Sequence, residues 1–211
     1  MGDIDGDGYL DVVAALYGDN QVAWYENDGT PSDGGWTHHI VKDYTGNGME
    51  DVFVADIDGD GDLDIISADG SGDKILYHIN DGTPGNGGWA TNTVVSGSDA
   101  DGAQSVHVAD IDSDGDLDIV AALFMTSHVV WIENDGSPND GGWTSHDVIT
   151  SSSSKESFDV TVGDIDGDGD LDIVEADQTN KVYWYENDGT PGDGTWYCLL
   201  YTSDAADDSG C

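Results

Sequence analysis

The sequence predicts an all-β protein built from four copies of one antiparallel sheet unit. Three observations carry this. An acidic nonapeptide loop is written four times: D-I-D-G-D-G-Y-L-D at 3–11, D-I-D-G-D-G-D-L-D at 56–64 and 164–172, and D-I-D-S-D-G-D-L-D at 110–118. A turn motif keeps the same step, W-Y-E-N-D-G-T-P at 24–31, Y-H-I-N-D-G-T-P at 77–84, W-I-E-N-D-G-S-P at 131–138 and W-Y-E-N-D-G-T-P at 184–191. A third motif, G-G-W at 34–36, 87–89 and 141–143 with G-T-W at 194–196, follows each turn. The loops start at 3, 56, 110 and 164, steps of 53, 54 and 54 residues. Periods near 50 residues mark propellers and solenoids.

The third repeat shows the unit. Residues 105–110 alternate as a strand and run into the acidic loop. Residues 117–123 are apolar and β-branched, the composition of a buried strand. A third strand, 128–133, ends in the turn residues Asn134-Asp135-Gly136-Ser137-Pro138, and a fourth alternating strand spans 143–149. No segment carries an apolar 3.6-residue period. Four short antiparallel strands per repeat is the form of a propeller blade, with the acidic loop as the hairpin between its first two strands.

The repeats divide at about 1–49, 50–103, 104–156 and 157–197. The first lacks the strand that precedes the loop in the others, because only Met1 and Gly2 stand before Asp3. The expectation is therefore a fragment of a larger ring. Residues 198–211 break the repeat and hold both cysteines, Cys198 and Cys211. Back-translated, this stretch resembles a common sequencing adapter, so it is read as non-native, the alternative being a divergent C-terminal segment. Disulfide arithmetic then says nothing about compartment.

The formal net charge is −41, from 45 acidic residues against four lysines and no arginine. Such a surface repels phosphate backbones and anionic headgroups, which excludes nucleic acid as a partner. No apolar run reaches membrane-spanning length, so membrane insertion is excluded too. The recurrent Trp, Val, Ile and Leu separate the chain from acidic disordered sequences.

That many carboxylates in nine residues repel one another unless a hard cation sits among them, and all-oxygen donors suit Ca2+. In a short acidic loop, positions 1, 3, 5 and 9 offer side-chain oxygens and position 7 its carbonyl. The candidate ligands are Asp3, Asp5, Asp7 and Asp11 with the Tyr9 carbonyl; Asp56, Asp58, Asp60 and Asp64 with Asp62; Asp110, Asp112, Asp114 and Asp118 with Asp116; and Asp164, Asp166, Asp168 and Asp172 with Asp170. About four Ca2+ follow, and at +2 each they would leave a charge of −33. The helix–loop–helix calcium site needs Glu at position 12. That position holds Ala14, Ser67, Ala121 and Glu175, so that reading fails.

The D-x-D-x-D-G-x-L-D loops, the D-I-V-A strand and the W-Y-E-N-D-G turn resemble the FG-GAP/VCBS repeat family. This is the repeat of integrin α-chain propellers and of many bacterial secreted proteins. The resemblance covers residues 1–197 and implies a calcium-stapled propeller, usually of about seven blades. The Phe-Gly and Gly-Ala-Pro signatures are absent, which favours the bacterial type.

Other candidates are weaker. Trp24, Trp131, Trp184 and Tyr77 are assigned to packing between blades, and Trp36, Trp89, Trp143 and Trp196 to packing or ligand contact. The six histidines (His38, His39, His78, His107, His128, His146) do not recur in register as a set. Glu26, Glu133 and Glu186 recur, which marks them as structural. Glu50, Glu156 and Glu175 stand alone without a visible partner. No nucleophile elbow, phosphate loop or zinc pattern is present. The leading expectation is a secreted or cell-surface adhesion and recognition module, not an enzyme, with a protein or glycan ligand. The alternatives are a carbohydrate-binding lectin and part of a polysaccharide lyase-like enzyme.

Overall fold

The computed structural model describes residues 1–44, 48–87, 89–149 and 156–201. Its regular structure is β, with three short 3-10 turns at Pro84–Asn86, Gly97–Asp99 and Pro191–Asp193. The first sheet has three strands, β1 (Val12–Leu16), β2 (Gln21–Glu26) and β3 (Thr37–Asp43). The second has four, β4 (Met49–Ala55), β5 (Asp64–Asp69), β6 (Lys74–Ile79) and β7 (Ala90–Ser96). The third comprises β8 (Ala103–Ala109), β9 (Asp118–Leu123), β10 (His128–Asn134) and β11 (Trp143–Ile149). The fourth comprises β12 (Ser157–Gly163), β13 (Asp172–Asp177), β14 (Val182–Glu186) and β15 (Tyr197–Tyr201). Each sheet is an antiparallel meander in chain order. A single bridge, Gly2 to Asp11, stands where the first blade would carry its opening strand.

Residues 198–201, which the sequence sets apart from the repeat, lie in β15 and pair with β14 from Tyr185–Cys198 to Val182–Tyr201. Residues 202–211 lie outside the described residues.

The blades sit side by side. The opening strand β8 packs between β4 and β12, and β1 lies against β4. Alternation explains what fills the space between them, since successive side chains point to opposite sheet faces. Val22 and Trp24 of the first blade meet Ile65 and Leu76 of the second. Ile66, Ala68, Ile75 and Tyr77 on the second blade's other face meet Val106, Ile119, Ala121 and Ile132 of the third. Val120, Val129 and Trp131 then meet Val160, Ile173, Tyr183 and Tyr185 of the fourth. Each fully buried aliphatic side chain contributes roughly 1.5–3 kcal/mol. The series stops at the fourth blade: Ile165 is 53% exposed, whereas Ile4, Ile57 and Ile111 at the same register are 3%, 5% and 2% exposed.

Each opening strand carries an irregularity at the same place, between Met49 and Asp51, Ala103 and Ser105, and Ser157 and Asp159. The extra residues are Glu50, Gln104 and Phe158. A bulge of this kind re-aims a side chain.

Candidate metal centres

Each acidic loop is folded by its own carboxylates. In the first, Asp3 Oδ2 accepts from Gly8 N at 2.9 Å, Asp5 Oδ1 from Asp7 N at 3.2 Å and Asp7 Oδ1 from Tyr9 N at 2.8 Å. Gly8 has φ +95°, a conformation that an L-residue adopts only with strain. The same bonds recur in the second and third loops.

The ninth residue does two jobs. Asp11 is fully buried, and its carboxylate accepts from Ile4 N at 2.9 Å and from Asn27 N at 2.8 Å. Asn27 belongs to the N-D-G turn after β2, so the Asp ties the loop to the far end of the hairpin. Asp64, Asp118 and Asp172 repeat this tie to Asn80, Asn134 and Asn187 at 2.8, 2.8 and 2.9 Å. Tyr77 OH donates to Asp64 as well, at 2.8 Å. Two of the turn asparagines also reach the preceding blade: Asn80 Nδ2 donates to Ile4 O and Asn187 Nδ2 to Ile111 O. The turn glycine is required by space. Gly29 has φ +82°, and a Cβ there would lie 2.5 Å from the Tyr9 ring, while Gly82, Gly136 and Gly189 face the seventh-position carboxylates Asp62, Asp116 and Asp170.

The loops bring carboxylates together in two ways. Oxygens of Asp3, Asp5 and Asp11 lie within 4.8 Å of one another, as do those of Asp56, Asp58 and Asp64 and those of Asp110, Asp112 and Asp118. Positions 1, 3 and 9 thus converge, whereas Asp7, Asp60 and Asp114 at position 5 stay outside these groups and cap the backbone of position 7. In the fourth loop Asp164, Asp166 and Asp168 converge, all exposed, and Asp172 is not among them. There Asp164 Oδ1 accepts from Gly167 N at 2.7 Å. The side chains of Tyr9, Asp62, Asp116 and Asp170 at position 7 face the turn glycines.

The donor set fits a hard divalent cation. Two oxygens, each about 2.4 Å from one Ca2+, are at most about 4.8 Å apart, and the oxygens of each group lie within that limit. Asp3, Asp56 and Asp110 also each hold a buried Oδ1 with no hydrogen-bond partner. A buried carboxylate oxygen without a donor is costly, and a cation would satisfy it. Burial holds the Asp11 carboxyl above its usual range, Asp64 at about 6 and Asp118 at about 7, against the hydrogen bonds that lower them. Burial, then neighbouring carboxylates, raises Asp5 and Asp112. A positive charge would reverse this.

The family profile described as FG-GAP-like repeat matches residues 3–66 and 56–121. The chain belongs to the FG-GAP-like repeat family. Among solved structures, these FG-GAP repeats are similar to a lectin of Agrocybe aegerita, described for its specific recognition of non-reducing terminal N-acetylglucosamine. Identity is 26% with a TM-score of 0.57, covering 96% of this chain and 51% of the lectin chain. This chain thus spans about half the length of that relative, and the fold is a β-propeller. No curated protein matches the sequence.

Trp24, Trp131 and Tyr77 are buried between blades, and Trp184 is half-buried. Of the G-G-W group, Trp36 is exposed and Trp143 half-buried, their Nε1 atoms donating to Pro31 O and Pro138 O. Two histidines do recur in register. His39 stacks on Trp24 at 4.3 Å with Nε2 2.7 Å from Glu26, and His146 stacks on Trp131 at 4.5 Å with Nε2 2.7 Å from Glu133. His38 tilts against Tyr25, and His107 packs against Phe53. His78 is fully buried between Ser67 and Thr91.

Two of the glutamates without a partner in sequence, Glu175 and Glu50, have partners in the fold. Glu175 is fully buried and accepts from Ser157 Oγ and Tyr185 OH. Glu50 accepts from Gln104 Nε2 at 3.1 Å. All three partners come from other strands, beyond the reach of sequence spacing.

Proposed function

We propose that this chain is a calcium-stapled propeller unit for glycan recognition, working in a secreted or cell-surface protein rather than as an enzyme. The likeness to the Agrocybe aegerita lectin over nearly the whole chain carries this reading. The ligand class that follows is a glycan ending in non-reducing N-acetylglucosamine. The four acidic loops hold Ca2+ structurally. They stand at the hairpin ends, and the same aspartates brace loop to turn. Calcium sites of extracellular modules, with dissociation constants of about 10⁻⁴–10⁻³ M, fill only where calcium is abundant.

Sugar is recognised in the grooves between blades, against aromatic faces left accessible. Trp36 is the most exposed of the G-G-W tryptophans, and its N–H is already held by Pro31 O, so the ring face is what remains to offer. A cleft of about 90 Å³ between the second and third loops adds carboxylates at Asp56, Asp58 and Asp116 beside Pro138. Among the described residues, the buried Glu175 is committed to two hydroxyls, which suits a structural acid.

The test is a glycan array with calcium present, followed by tryptophan fluorescence titration with the best ligand. The reading expects saturable binding to N-acetylglucosamine-terminated glycans, lost in Trp36→Ala or Trp143→Ala. An array without signal and a fluorescence spectrum unmoved by sugar would overturn it.

A further inference from the structure

The repeats agree closely at one end of the blades and disagree at the other. The acidic loops are almost identical, but the hairpins at the opposite ends of the same strands read Tyr17-Gly18-Asp19-Asn20, Gly70-Ser71-Gly72-Asp73, Phe124-Met125-Thr126-Ser127 and Gln178-Thr179-Asn180. A structural requirement recurs in every repeat; a binding site need occur only once. At this variable end lies a pocket of about 230 Å³, walled by Tyr17 of the first blade, Glu50 and Gly70 of the second, and Gln104, Phe124 and Met125 of the third.

Its acid is aimed by the fold. Glu50 and Gln104 are the bulge residues of their opening strands, and Gln104 Nε2 holds Glu50 Oε2 at 3.1 Å. Gly70 keeps the floor open, because a Cβ there would lie 2.9 Å from Ala103 O and 3.0 Å from Glu50 Cγ. Among the described residues every ion pair involves a histidine, so Glu50 has no cation of its own. Tyr17 and Met125 are 54% and 70% exposed, large apolar groups flanking that carboxylate.

We propose that this pocket binds an aliphatic primary ammonium group, the chemistry shared by a lysine side chain and a free polyamine. An aromatic ring and a thioether accept an alkyl chain, and the ring face attracts its charged end. One carboxylate oxygen is already held by the Gln104 amide. That leaves a point contact for an ammonium rather than the two-oxygen fork a guanidinium matches. Ca2+ or Mg2+ would need six or more oxygens, which apolar walls do not supply. The net charge of −41 draws cations to the surface.

The test follows Met125 methyl and Tyr17 ring resonances of the whole calcium-loaded chain by NMR. The probes are 1,5-diaminopentane, a peptide with one lysine, and that peptide with the lysine Nε-acetylated. The expected result is a saturable shift at both residues with the first two probes and none with the third. Tighter binding of the peptide assigns the site to a protein partner, and tighter binding of the diamine to a free polyamine. Glu50→Gln, a side chain that the third blade already accommodates at this bulge, should weaken binding about tenfold or more, the scale of one charged hydrogen bond. Tyr17→Ala should weaken it independently. No saturable shift, equal shifts with the acetylated peptide, or wild-type affinity in both variants would overturn the proposal. The site lies at the far end of the strands from the acidic loops and stands apart from the glycan reading.

Discussion

Asn80 N donates to Asp64 Oδ1 at 2.8 Å across 16 residues of chain, and this bond joins the start of a blade's second strand to the end of its third. Ile57 N and Tyr77 OH converge on the other oxygen of the same carboxylate, at 3.2 and 2.8 Å. Asp64 is therefore a structural tie as well as a candidate calcium ligand. Asp64→Ala would leave three donors without an acceptor, a loss of about 3 kcal/mol or more. The exposed Asp60→Ala should stay within about 0.5 kcal/mol in chelator. Urea unfolding with and without chelator separates the two roles. If the whole cost of Asp64→Ala vanished on calcium removal, the hydrogen-bonded role would be wrong.

His78 gives the fold an acid-sensitive point. Burial above all, with Lys42 adding, pushes its pKa down to about 3. The unfolded chain takes up a proton near pH 6.5 and the folded chain does not. Stability from this group is thus complete above pH 6.5 and falls as pH drops toward 3, by at most about 1.4 kcal/mol per pH unit. The third blade holds Ala121 and Ile132 where the second holds Ser67 and His78. The double change Ser67→Ala/His78→Ile should flatten the stability profile between pH 6.5 and 4.5 relative to wild type. Parallel profiles would contradict the assignment.

Glu175 answers to the same comparison. Removing it leaves the Tyr185 and Ser157 hydroxyls buried between the third and fourth blades without their acceptor. Glu175→Ala should cost about 2–4 kcal/mol. Adding Tyr185→Ile, the third blade's residue, should recover about 1 kcal/mol or more through coupling. Chemical denaturation of both variants measures this, and strictly additive losses would mean that the two side chains do not communicate.

The fourth acidic loop should bind calcium least well. Its converging residues Asp164, Asp166 and Asp168 are all exposed, whereas each of the other groups includes a buried aspartate. Asp166→Asn should therefore change the melting temperature less than Asp5→Asn or Asp112→Asn, measured at millimolar calcium. Equal shifts for all three would show that the loops are equivalent.

Much of this was legible in the sequence because it is local and repeated. The strand order, the loops and the N-D-G turns all follow from short-range periodicity, and β11 spans the residues that alternation marks. The Asn27–Asp11 tie is written there as well, since an Asn recurs 15 or 16 residues after each loop's last Asp. The His39–Glu26 and His146–Glu133 pairs escaped because they occur in only two blades. Glu50–Gln104 and Glu175–Tyr185 could not be read at all, being set by how blades and strands stack rather than by spacing. Positions 5 and 9 of the loops trade places between the third and fourth repeats, although the letters are nearly identical. The difference goes with exposure: Asp164 and Asp166 are exposed where Asp110 and Asp112 are half-buried, and Ile165 is exposed where Ile111 is buried.

Whether calcium staples this propeller is decided by a calorimetric calcium titration of the whole chain, with melting followed before and after chelation. At millimolar calcium, sites of this class contribute about 0.4–1.4 kcal/mol each, or about 2–6 for four. About four ions should bind, three alike and one more weakly, and the melting temperature should fall clearly when they are removed. Absence of binding, or a melting temperature indifferent to chelator, would contradict a calcium staple.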